Sequence, residues 1–232
     1  GAARVPIVPA AILFDLLNGG DKAWGATPPY RALGRAACEG AGTAFALGNH
    51  GAGVGAIAGD LKGGLGSVSV AADDGLVVGA VVAANPIGTA VMGTGPTLWA
   101  WTLERDAELG GQRPPDSGAG DDLGVRKRPR AGASTTIAVV ATNARLTPAE
   151  ARRVAIMAHD GIARAVRPAH TPYDGDTVFA LGTGRFDADS GPDAVLRVGA
   201  MAADCVARAL ARGIYEAQDL GDAVSYRTRY RL

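Results

Sequence analysis

The sequence predicts an α+β fold in which helices cover a sheet. Three observations support this prediction: two apolar runs joined by a tight turn, a β-forming run much later in the chain, and two long stretches whose apolar residues recur at helical spacing. Strand and helix patterns are mixed along the chain. Packing the apolar faces of the helices on the sheet is the expected way to bury both.

The N-terminal part of the chain contains an apolar segment and a predicted helix. Val5 to Leu17 is apolar but contains prolines, which favours short extended pieces over a helix. From Pro29 to Leu47, apolar residues recur at helical spacing, and Gly48 with Asn49 is a plausible end for that helix. The chain begins on this apolar segment without an initiator Met, so we expect N-terminal residues to be missing.

A β-hairpin is predicted next. Ser67 to Ala71 alternates in polarity as a strand does, and a turn at Asp73, Asp74 and Gly75 reverses the chain. Leu76 to Ala84 is apolar nearly throughout, which indicates a strand that is buried on both faces.

Further elements follow from Thr135 onward. After the strand at Thr135, Thr147 supplies a capping hydroxyl, Pro148 the first helical position and Glu150 the capping-box carboxylate of a helix that reaches Val166. A strand is predicted over 175–181. A last helix over 194–214 is expected to direct these residues inward: Leu196, Val198, Met201, Ala202, Cys205, Val206, Ala209 and Leu210.

Bulk properties exclude several classes of partner. The 232 residues are enough for one substantial core, so one domain is expected over 1–232. Lys plus Arg and Asp plus Glu are equal at 23, so no net charge draws the chain to nucleic acid or an anionic membrane. No apolar run is long enough for a membrane span. Cys38 and Cys205 lie in apolar helical patterns and are interpreted as buried reduced thiols, which predicts a soluble cytoplasmic protein.

The junction at Thr135 is the most informative feature of the chain. The loop over 104–133 is crowded with Gly, Pro, Asp and Arg, and is expected to be exposed because it can bury little apolar surface. It ends abruptly at a strand that starts on hydroxyl residues, Ser134 and Thr135. A cut just before Thr135 would place a hydroxyl and an α-amine on one residue, which is a known form of activated nucleophile.

Other candidate groups have simpler interpretations beside their functional ones. Asn85 ends a buried strand, either as a turn cap or as an amide donor for an oxyanion. Asp174 and Asp176 flank Gly175 at the mouth of a strand, where turn formation is the simpler explanation. Of the three His residues none has metal-ligand spacing, although His170, close to Asp174, has a reasonable place beside a site. We predict neither a metal nor any other cofactor.

Taken together, several segments resemble the family of L-aminopeptidase/D-esterases and β-peptidyl aminopeptidases, which are self-processing hydrolases of the N-terminal-nucleophile type. The resemblance covers nearly the whole chain, in the family's order, although the family's usual N-terminal strands are absent. The matching segments are Val5 to Leu16, Gly48 to Ala56, Lys62 to Ser67, Thr135 to Thr142, Met157 to Gly161 and Asp174 to Leu181.

This resemblance implies a four-layer αββα sandwich and a precursor that cuts itself between Ser134 and Thr135. It implies that the Thr135 hydroxyl is the nucleophile and that the Asn85 amide stabilises the oxyanion. It also implies that Asp174 and Asp176 orient the nucleophile's amine and engage the free amino group of the substrate. The family commonly forms homo-oligomers, tetramers or octamers, so one is expected here.

The implied function is removal of N-terminal residues from small peptides, amides or esters through an acyl-enzyme on Thr135. Close relatives usually carry Asn or Gly where this chain has Ser134, so a cut one residue earlier, with Ser134 as the nucleophile, stays open. Acyl transfer, as in ornithine acetyltransferases, is an alternative reaction. A third alternative is an uncut homologue that binds or supports other molecules without catalysis.

Overall fold

Helices and strands are mixed along the chain in the computed structural model, which describes residues 3, 5–115, 120, 124–128, 130, 132–186 and 191–232. Two short 3-10 turns lie at Gly51–Gly53 and Trp99–Leu103. The predicted α+β class is confirmed. In chain order the elements are helix α1 (Tyr30–Glu39), strands β1 (Ile57–Ala58), β2 (Leu61–Lys62), β3 (Leu65–Ala71), β4 (Val77–Asn85) and β5 (Thr135–Ala144), helix α2 (Pro148–Ala165), strand β6 (Thr177–Phe186) and helices α3 (Pro192–Tyr215) and α4 (Tyr226–Tyr230).

The main sheet has four strands in the order β3-β4-β5-β6. Strands β3 and β4 form the predicted hairpin, with Ala71 opposite Val77. Strand β5 runs antiparallel to β4 and parallel to β6. The start of β5 therefore lies between the end of β4 and the start of β6. Three distant parts of the sequence thus meet at one end of the strands.

Helices α2 and α3 pack against each other on one face of this sheet. Helix α3 lies on β3 and β4, and α2 lies on β6. Gly66 of β3 allows the close approach of α3, because a Cβ there would overlap the Ala209 carbonyl. The buried core between the layers includes Val68, Val78, Ala80, Val82, Ala138, Val140, Val154, Ile162, Val198, Val206 and Leu210.

The opposite face of the sheet is partly open. Val77, Val139 and Leu181 are exposed there although all three are apolar. Side chains on a strand alternate between faces, so these residues point away from the helices. The described residues thus supply one helix layer and one sheet layer, an arrangement consistent with part of a layered sandwich.

Helix α2 begins where the capping motif predicts. The Thr147 hydroxyl accepts a hydrogen bond from the Glu150 amide at 3.3 Å, and a Glu150 carboxylate oxygen accepts one from the Thr147 amide at 2.7 Å. Pro148 occupies the first helical position. Because the cap satisfies backbone donors at the helix start, the local sequence is sufficient to fix this boundary.

Helix α1 is shorter than predicted and contributes nothing to the core. It ends at Glu39 rather than Leu47, and none of its residues is buried. Gly40 and Gly42 weaken helix formation, and no packed face offsets that cost. The predicted burial of Cys38 is wrong for the same reason, since Cys38 is exposed whereas Cys205 of α3 is buried, and both are free thiols.

Leu196 is also placed wrongly by the helical pattern. It is 67% exposed, whereas Val198 is fully buried. Successive residues turn by about 100° around a helix, so a residue two positions from the buried face points nearly away from it. Leu196 instead lines a groove with Met157 and Val195 between the two long helices.

The first part of the 104–133 loop is more ordered than its composition suggests. Leu109 is fully buried, and one Glu104 oxygen accepts hydrogen bonds from the amides of Leu109 and Gly111, both at 2.8 Å. Glu108 pairs with the buried Arg208 of α3 at 2.5 Å. Carboxylate bonds to backbone amides thus replace regular secondary structure in this segment, and the expectation of an exposed loop is wrong there.

Candidate active site

The five residues of the predicted site lie at the end of the sheet where β4 ends and β5 begins. They are Asn85, Ser134, Thr135, Asp174 and Asp176. Asn85 is directly opposite Thr135 in the antiparallel β4–β5 pair. Ser134 forms an isolated parallel bridge with Asp174, and Asp176 immediately precedes β6. Because β5 runs antiparallel to β4 and parallel to β6, its start lies between the end of β4 and the start of β6. Residues from both neighbouring strands therefore lie close to Thr135.

The Thr135 hydroxyl contacts the peptide group that precedes it. In the uncut chain it donates a hydrogen bond to the Ser134 carbonyl oxygen at 2.6 Å. The Gly175 amide donates to the same oxygen at 2.9 Å. This carbonyl therefore has two donors, and Thr135 itself is only 5% exposed. A Cβ at Gly175 would lie 3.0 Å from the hydroxyl oxygen, so glycine keeps that side clear.

The Asn85 side chain is held in one orientation by contacts on both of its ends. It is fully buried, and its Oδ1 accepts hydrogen bonds from the Ile57 amide at 2.9 Å and from Lys127 Nζ at 3.2 Å. Because Oδ1 faces these donors, Nδ2 faces carbonyls, those of Phe14 at 3.1 Å and Ala133 at 3.5 Å. The amide donor thus points at the segment just before Ser134, while the Ser134 carbonyl takes its hydrogen bonds from Gly175 and Thr135.

Asp174 joins two loops through hydrogen bonds to both of its carboxylate oxygens. One of its oxygens accepts from the Ile87 amide at 3.0 Å. The other accepts from the Thr171 amide at 3.1 Å and from the Thr171 hydroxyl at 2.6 Å. Both oxygens are therefore used to hold the β6 entry loop against the end of β4.

Asp176 links the strand of the nucleophile to an ionisable partner. Its Oδ1 accepts from the Thr136 amide at 2.8 Å, and its Oδ2 lies 2.8 Å from His170 Nδ1. The other His170 nitrogen faces the His159 carbonyl at 3.3 Å. Both ring nitrogens thus face acceptors, an environment that an imidazolium with two N–H donors satisfies.

The two histidines respond to this environment in opposite directions. The hydrogen bond to Asp176 raises the pKa of His170, against the effect of partial burial. Burial lowers the pKa of His159, and the charge of His170 lowers it further. Their rings lie edge to face with centroids 5.2 Å apart. His170 thus lies beside the candidate site, in contact with Asp176.

Two lysines near the site, Lys62 buried and Lys127 half-buried, were missed by the sequence analysis. Lys62 is 1% exposed, and its ammonium donates to the carbonyls of Gly53 at 2.8 Å, Ala56 at 3.0 Å and Gly63 at 2.6 Å. Burial lowers its pKa to about 8, partly offset by the charge of Asp15. A lone lysine in a glycine-rich apolar stretch is an unusual pattern that was available as a signal.

Lys127 is the second of these lysines. Its ammonium donates to the Ile57 carbonyl at 3.1 Å and to Asn85 Oδ1 at 3.2 Å. Burial lowers its pKa to about 8, and the nearby Asp174 carboxylate opposes that shift. Its neighbours Arg126 and Arg128 are also basic, so nothing in the sequence separates this residue from an ordinary exposed basic run.

A cavity of about 610 Å³ is lined partly by Ile57, whose amide binds Asn85, although none of the five predicted site residues lines it. Asp15, Asp60 and Asp222 contribute carboxylates to its wall, and Lys22 contributes an ammonium. Its volume is in the range typical of small-molecule sites, roughly 300–1,000 Å³. Among the described residues, no group of three or more His, Cys, Asp or Glu side chains could hold a metal ion.

A hydroxyl at the start of a strand, a buried amide and two carboxylates are the groups that a hydrolase with a hydroxyl nucleophile uses. The family model for Peptidase family S58 matches residues 1–226. The chain therefore belongs to Peptidase family S58.

Named relatives agree with this assignment. The chain is 41% identical to an uncharacterized aminopeptidase of Mycobacterium tuberculosis, over 97% of the chain and 68% of the relative. It is 32% identical to the 6-aminohexanoate-oligomer endohydrolase of Paenarthrobacter ureafaciens, over 83% of the chain and 54% of that enzyme. These names support hydrolase chemistry of the aminopeptidase kind.

Solved structures support the fold. A protein of Pyrococcus horikoshii matches with a TM-score of 0.58 and 25% identity, over 83% of the chain and 51% of that protein. The L-aminopeptidase D-Ala-esterase/amidase of Ochrobactrum anthropi, a variant of the Ntn hydrolase fold, matches with a TM-score of 0.56 and 24% identity, over 82% of the chain and 52% of that enzyme. The chain thus spans about half the length of these structures.

Helices with the length and hydropathy of a membrane span do not occur in the described part of the chain.

Proposed function

We propose that the chain cuts itself between Ser134 and Thr135 and that the cut form is an aminopeptidase or amidase with Thr135 as its nucleophile. The main support is the 2.6 Å contact of the Thr135 hydroxyl with the Ser134 carbonyl, which already accepts a second hydrogen bond from Gly175. Family membership supports the same reaction class.

Self-cleavage would proceed by an acyl shift from nitrogen to oxygen. The Thr135 oxygen attacks the Ser134 carbonyl carbon and gives up its proton, and the Gly175 amide stabilises the negative charge that develops on the carbonyl oxygen. The C–N bond then breaks, and the Thr135 nitrogen takes up the proton that the hydroxyl released and becomes an amine. Water hydrolyses the resulting ester, which leaves a carboxylate on Ser134 and frees the Thr135 hydroxyl.

In the cut form, the same hydroxyl would attack the carbonyl of a substrate. The new α-amine of Thr135, with a reference pKa of about 7.7–8.0, is suited to take the hydroxyl proton near neutral pH. The Asn85 amide, already directed toward this segment, would stabilise the oxyanion. Asp176 would hold the start of β5 through the Thr136 amide, and Asp174 would hold the loop that carries Asp176. Water would then release the acyl group.

The proposed substrates are small peptides, amides or esters with a free amino group. The cavity lined by Ile57, whose amide binds Asn85, is large enough for such molecules and has three carboxylates in its wall. A second candidate substrate class is a linear oligomer of ω-amino acids, because a relative at 32% identity is a 6-aminohexanoate-oligomer endohydrolase. Homo-oligomer formation and a cytoplasmic location stay predictions.

Intact mass under denaturing conditions tests the self-cleavage. We expect two fragments, with 134 of the 232 residues before the cut and the other 98 after it, and with Thr at the new N-terminus. The fragment masses also decide between Ser134 and Thr135 as the first residue. A single chain that persists after long incubation would contradict the proposal.

Replacing the nucleophile tests the chemistry. Thr135→Ala should abolish both the cut and the hydrolysis of aminoacyl p-nitroanilides, because no hydroxyl remains to form an ester. Thr136→Val is the matched control, since it removes a neighbouring buried hydroxyl that has no hydrogen-bond partner among the described residues. Cleavage that survives in Thr135→Ala would assign the nucleophile to another residue.

A further inference from the structure

Lys127 contacts the candidate site from the segment that precedes the proposed cut. It lies eight residues upstream of Thr135 and is half-buried. Its ammonium donates a hydrogen bond to Asn85 Oδ1 at 3.2 Å and another to the Ile57 carbonyl at 3.1 Å. This side chain therefore ties the segment before the cut to the end of β4 and to β1.

The Asn85 amide contacts the same segment a second time, through its other end. Nδ2 faces the Ala133 carbonyl at 3.5 Å, whereas the contact of Oδ1 with Lys127 is shorter and has a charged donor. Ala133 is separated from Thr135 by Ser134 alone. One buried side chain thus connects two points of the segment before the cut, and the contact with Lys127 is the stronger of the two.

The peptide to be cut has a second set of contacts, from the loop that enters β6. The Gly175 amide donates to the Ser134 carbonyl at 2.9 Å, and Ser134 forms a parallel bridge with Asp174. These contacts hold the carbonyl itself, while Asn85 and Lys127 hold the chain that leads to it. An acyl shift requires the hydroxyl and the carbonyl to keep one relative geometry, so both sets of contacts should affect its rate.

The basic neighbours of Lys127 supply matched comparisons on the same loop. Arg126 donates to the Thr89 hydroxyl at 3.1 Å, so it anchors the loop at another point. Arg128 is exposed. Removing Arg126 therefore tests anchoring of the loop in general, and removing Arg128 tests the loss of one positive charge, whereas removing Lys127 takes away the contact with Asn85.

We propose that Lys127 is a positioning residue for the self-cleavage, because it holds the segment before the cut against Asn85. The Ser134 carbonyl is thereby kept within reach of the Thr135 hydroxyl. The proposal rests on the proposed function, since it assumes a cut between these two residues. After the cut, Thr135 begins one chain and Lys127 belongs to the other, so Lys127 should matter more for the self-cleavage than for later turnover of substrates.

The test compares the rates of the two reactions in Lys127→Met. Cell-free synthesis followed by intact mass over time gives the rate of self-cleavage, and hydrolysis of aminoacyl p-nitroanilides per cut chain gives turnover. Self-cleavage should slow by about tenfold or more, because the segment loses a hydrogen bond from a charged donor. Turnover per cut chain should fall by no more than about threefold, since the Ile57 amide still binds Asn85 Oδ1.

Two variants of the same loop are the controls. Arg128→Met should cut at the rate of the unmodified chain, and Arg126→Met should slow the cut less than Lys127→Met does. Each substitution is also made in the uncut Thr135→Ala chain, where a matching thermal unfolding midpoint shows that the fold is intact. Lys127→Gln, which keeps a polar side chain, takes the place of Lys127→Met if the Met variant unfolds earlier.

A double substitution tests whether Lys127 acts through Asn85. In an Asn85→Ala background, adding Lys127→Met should slow the cut by no more than about threefold further, because the acceptor of the ammonium is already absent. A full additional loss there would overturn the proposal, because Lys127 would then act independently of Asn85.

Three other results would also overturn the proposal: a Lys127→Met chain that cuts at the rate of the unmodified chain, an equal loss of self-cleavage and turnover, or an equal slowing in Arg126→Met. The failure of the proposed function itself has a different sign. It would be an unmodified chain that stays uncut, which intact mass shows before any variant is made.

Discussion

The two strands that border β5 give Thr135 two chemically different sides. On the β4 side, here called the donor side, lie the Asn85 amide and the ammonium groups of Lys127 and Lys62. On the β6 side, here called the carboxylate side, lie Asp174 and Asp176 with its His170 partner.

This difference separates two tasks that acyl transfer requires. Negative charge develops on a carbonyl oxygen, and donors stabilise it there, while protons and amines are handled by carboxylates and bases. The Ser134 carbonyl lies between the two sides. Changes on the donor side should therefore affect rate and core stability, whereas changes around His170 should alter dependence on pH.

The largest effect is expected at Asn85. Replacing it with Ala or Asp removes the amide donor, and the turnover of aminoacyl p-nitroanilides by the cut enzyme should fall by about 10²–10³-fold, as for other oxyanion donors. Asp keeps the size of the side chain and so separates a lost donor from a lost volume. Turnover within about twofold of the parent in both variants would remove Asn85 from the donor side.

The next largest effect is expected on the free energy of unfolding when Lys62 of the donor side is replaced. Lys62→Met removes a charged donor that three buried carbonyls share, of which those of Gly53 and Ala56 keep a backbone donor, and should lower the free energy of unfolding in urea by about 2 kcal/mol. Arg35→Met on the exposed helix α1 is the control and should change it by no more than about 0.5 kcal/mol. A Lys62→Met variant as stable as the parent would show that these carbonyls do not depend on the ammonium.

The smallest effect is a pH dependence on the carboxylate side. The folded pKa of His170 is raised, so its pairing with Asp176 contributes fully below about pH 6.5 and is lost as pH rises through the folded pKa. His170→Gln should therefore lose more stability at pH 6 than at pH 9, by no more than about 1 kcal/mol because the imidazole is partly exposed.

His159→Gln provides a control of opposite sign for the pH series. The folded pKa of His159 is lowered, so protonating it costs stability as pH falls below about 6.5. Removing it should relieve that cost at low pH. The charged and titratable groups that face this pair are Asp176, Asp174 and Asp160. A His170→Gln difference that is the same at both pH values would show that the pair does not respond to pH.

Local sequence signals predicted the elements that depend on local contacts. The turn at Gly75 produced the β3–β4 hairpin, and the Thr147 cap produced the start of α2. Helix α1 was predicted too long because its apolar spacing finds nothing to pack against. The spacing of apolar residues does not show whether a helix has a surface to pack against.

The residues of the candidate site also differ in whether the sequence predicts them. The positions of Asn85, Thr135, Asp174 and Asp176 followed from a resemblance whose motifs lie in order along the chain. Lys127 could not be found, because its role depends on a long-range fold of a basic loop onto Asn85. The use of both Asp174 oxygens within the loop likewise depends on contacts with Ile87 and Thr171 that spacing does not reveal.

The sheet order also determines what a cut before Thr135 would do to the particle. Strand β4 precedes the break and β5 follows it, yet the two strands are paired over eight residue pairs, from Val78 with Thr142 to Asn85 with Thr135. Helix α3, which follows the break, lies across β3 and β4, which precede it. The two pieces would be interlocked halves of one sheet, so they would travel together in native chromatography and separate only on unfolding.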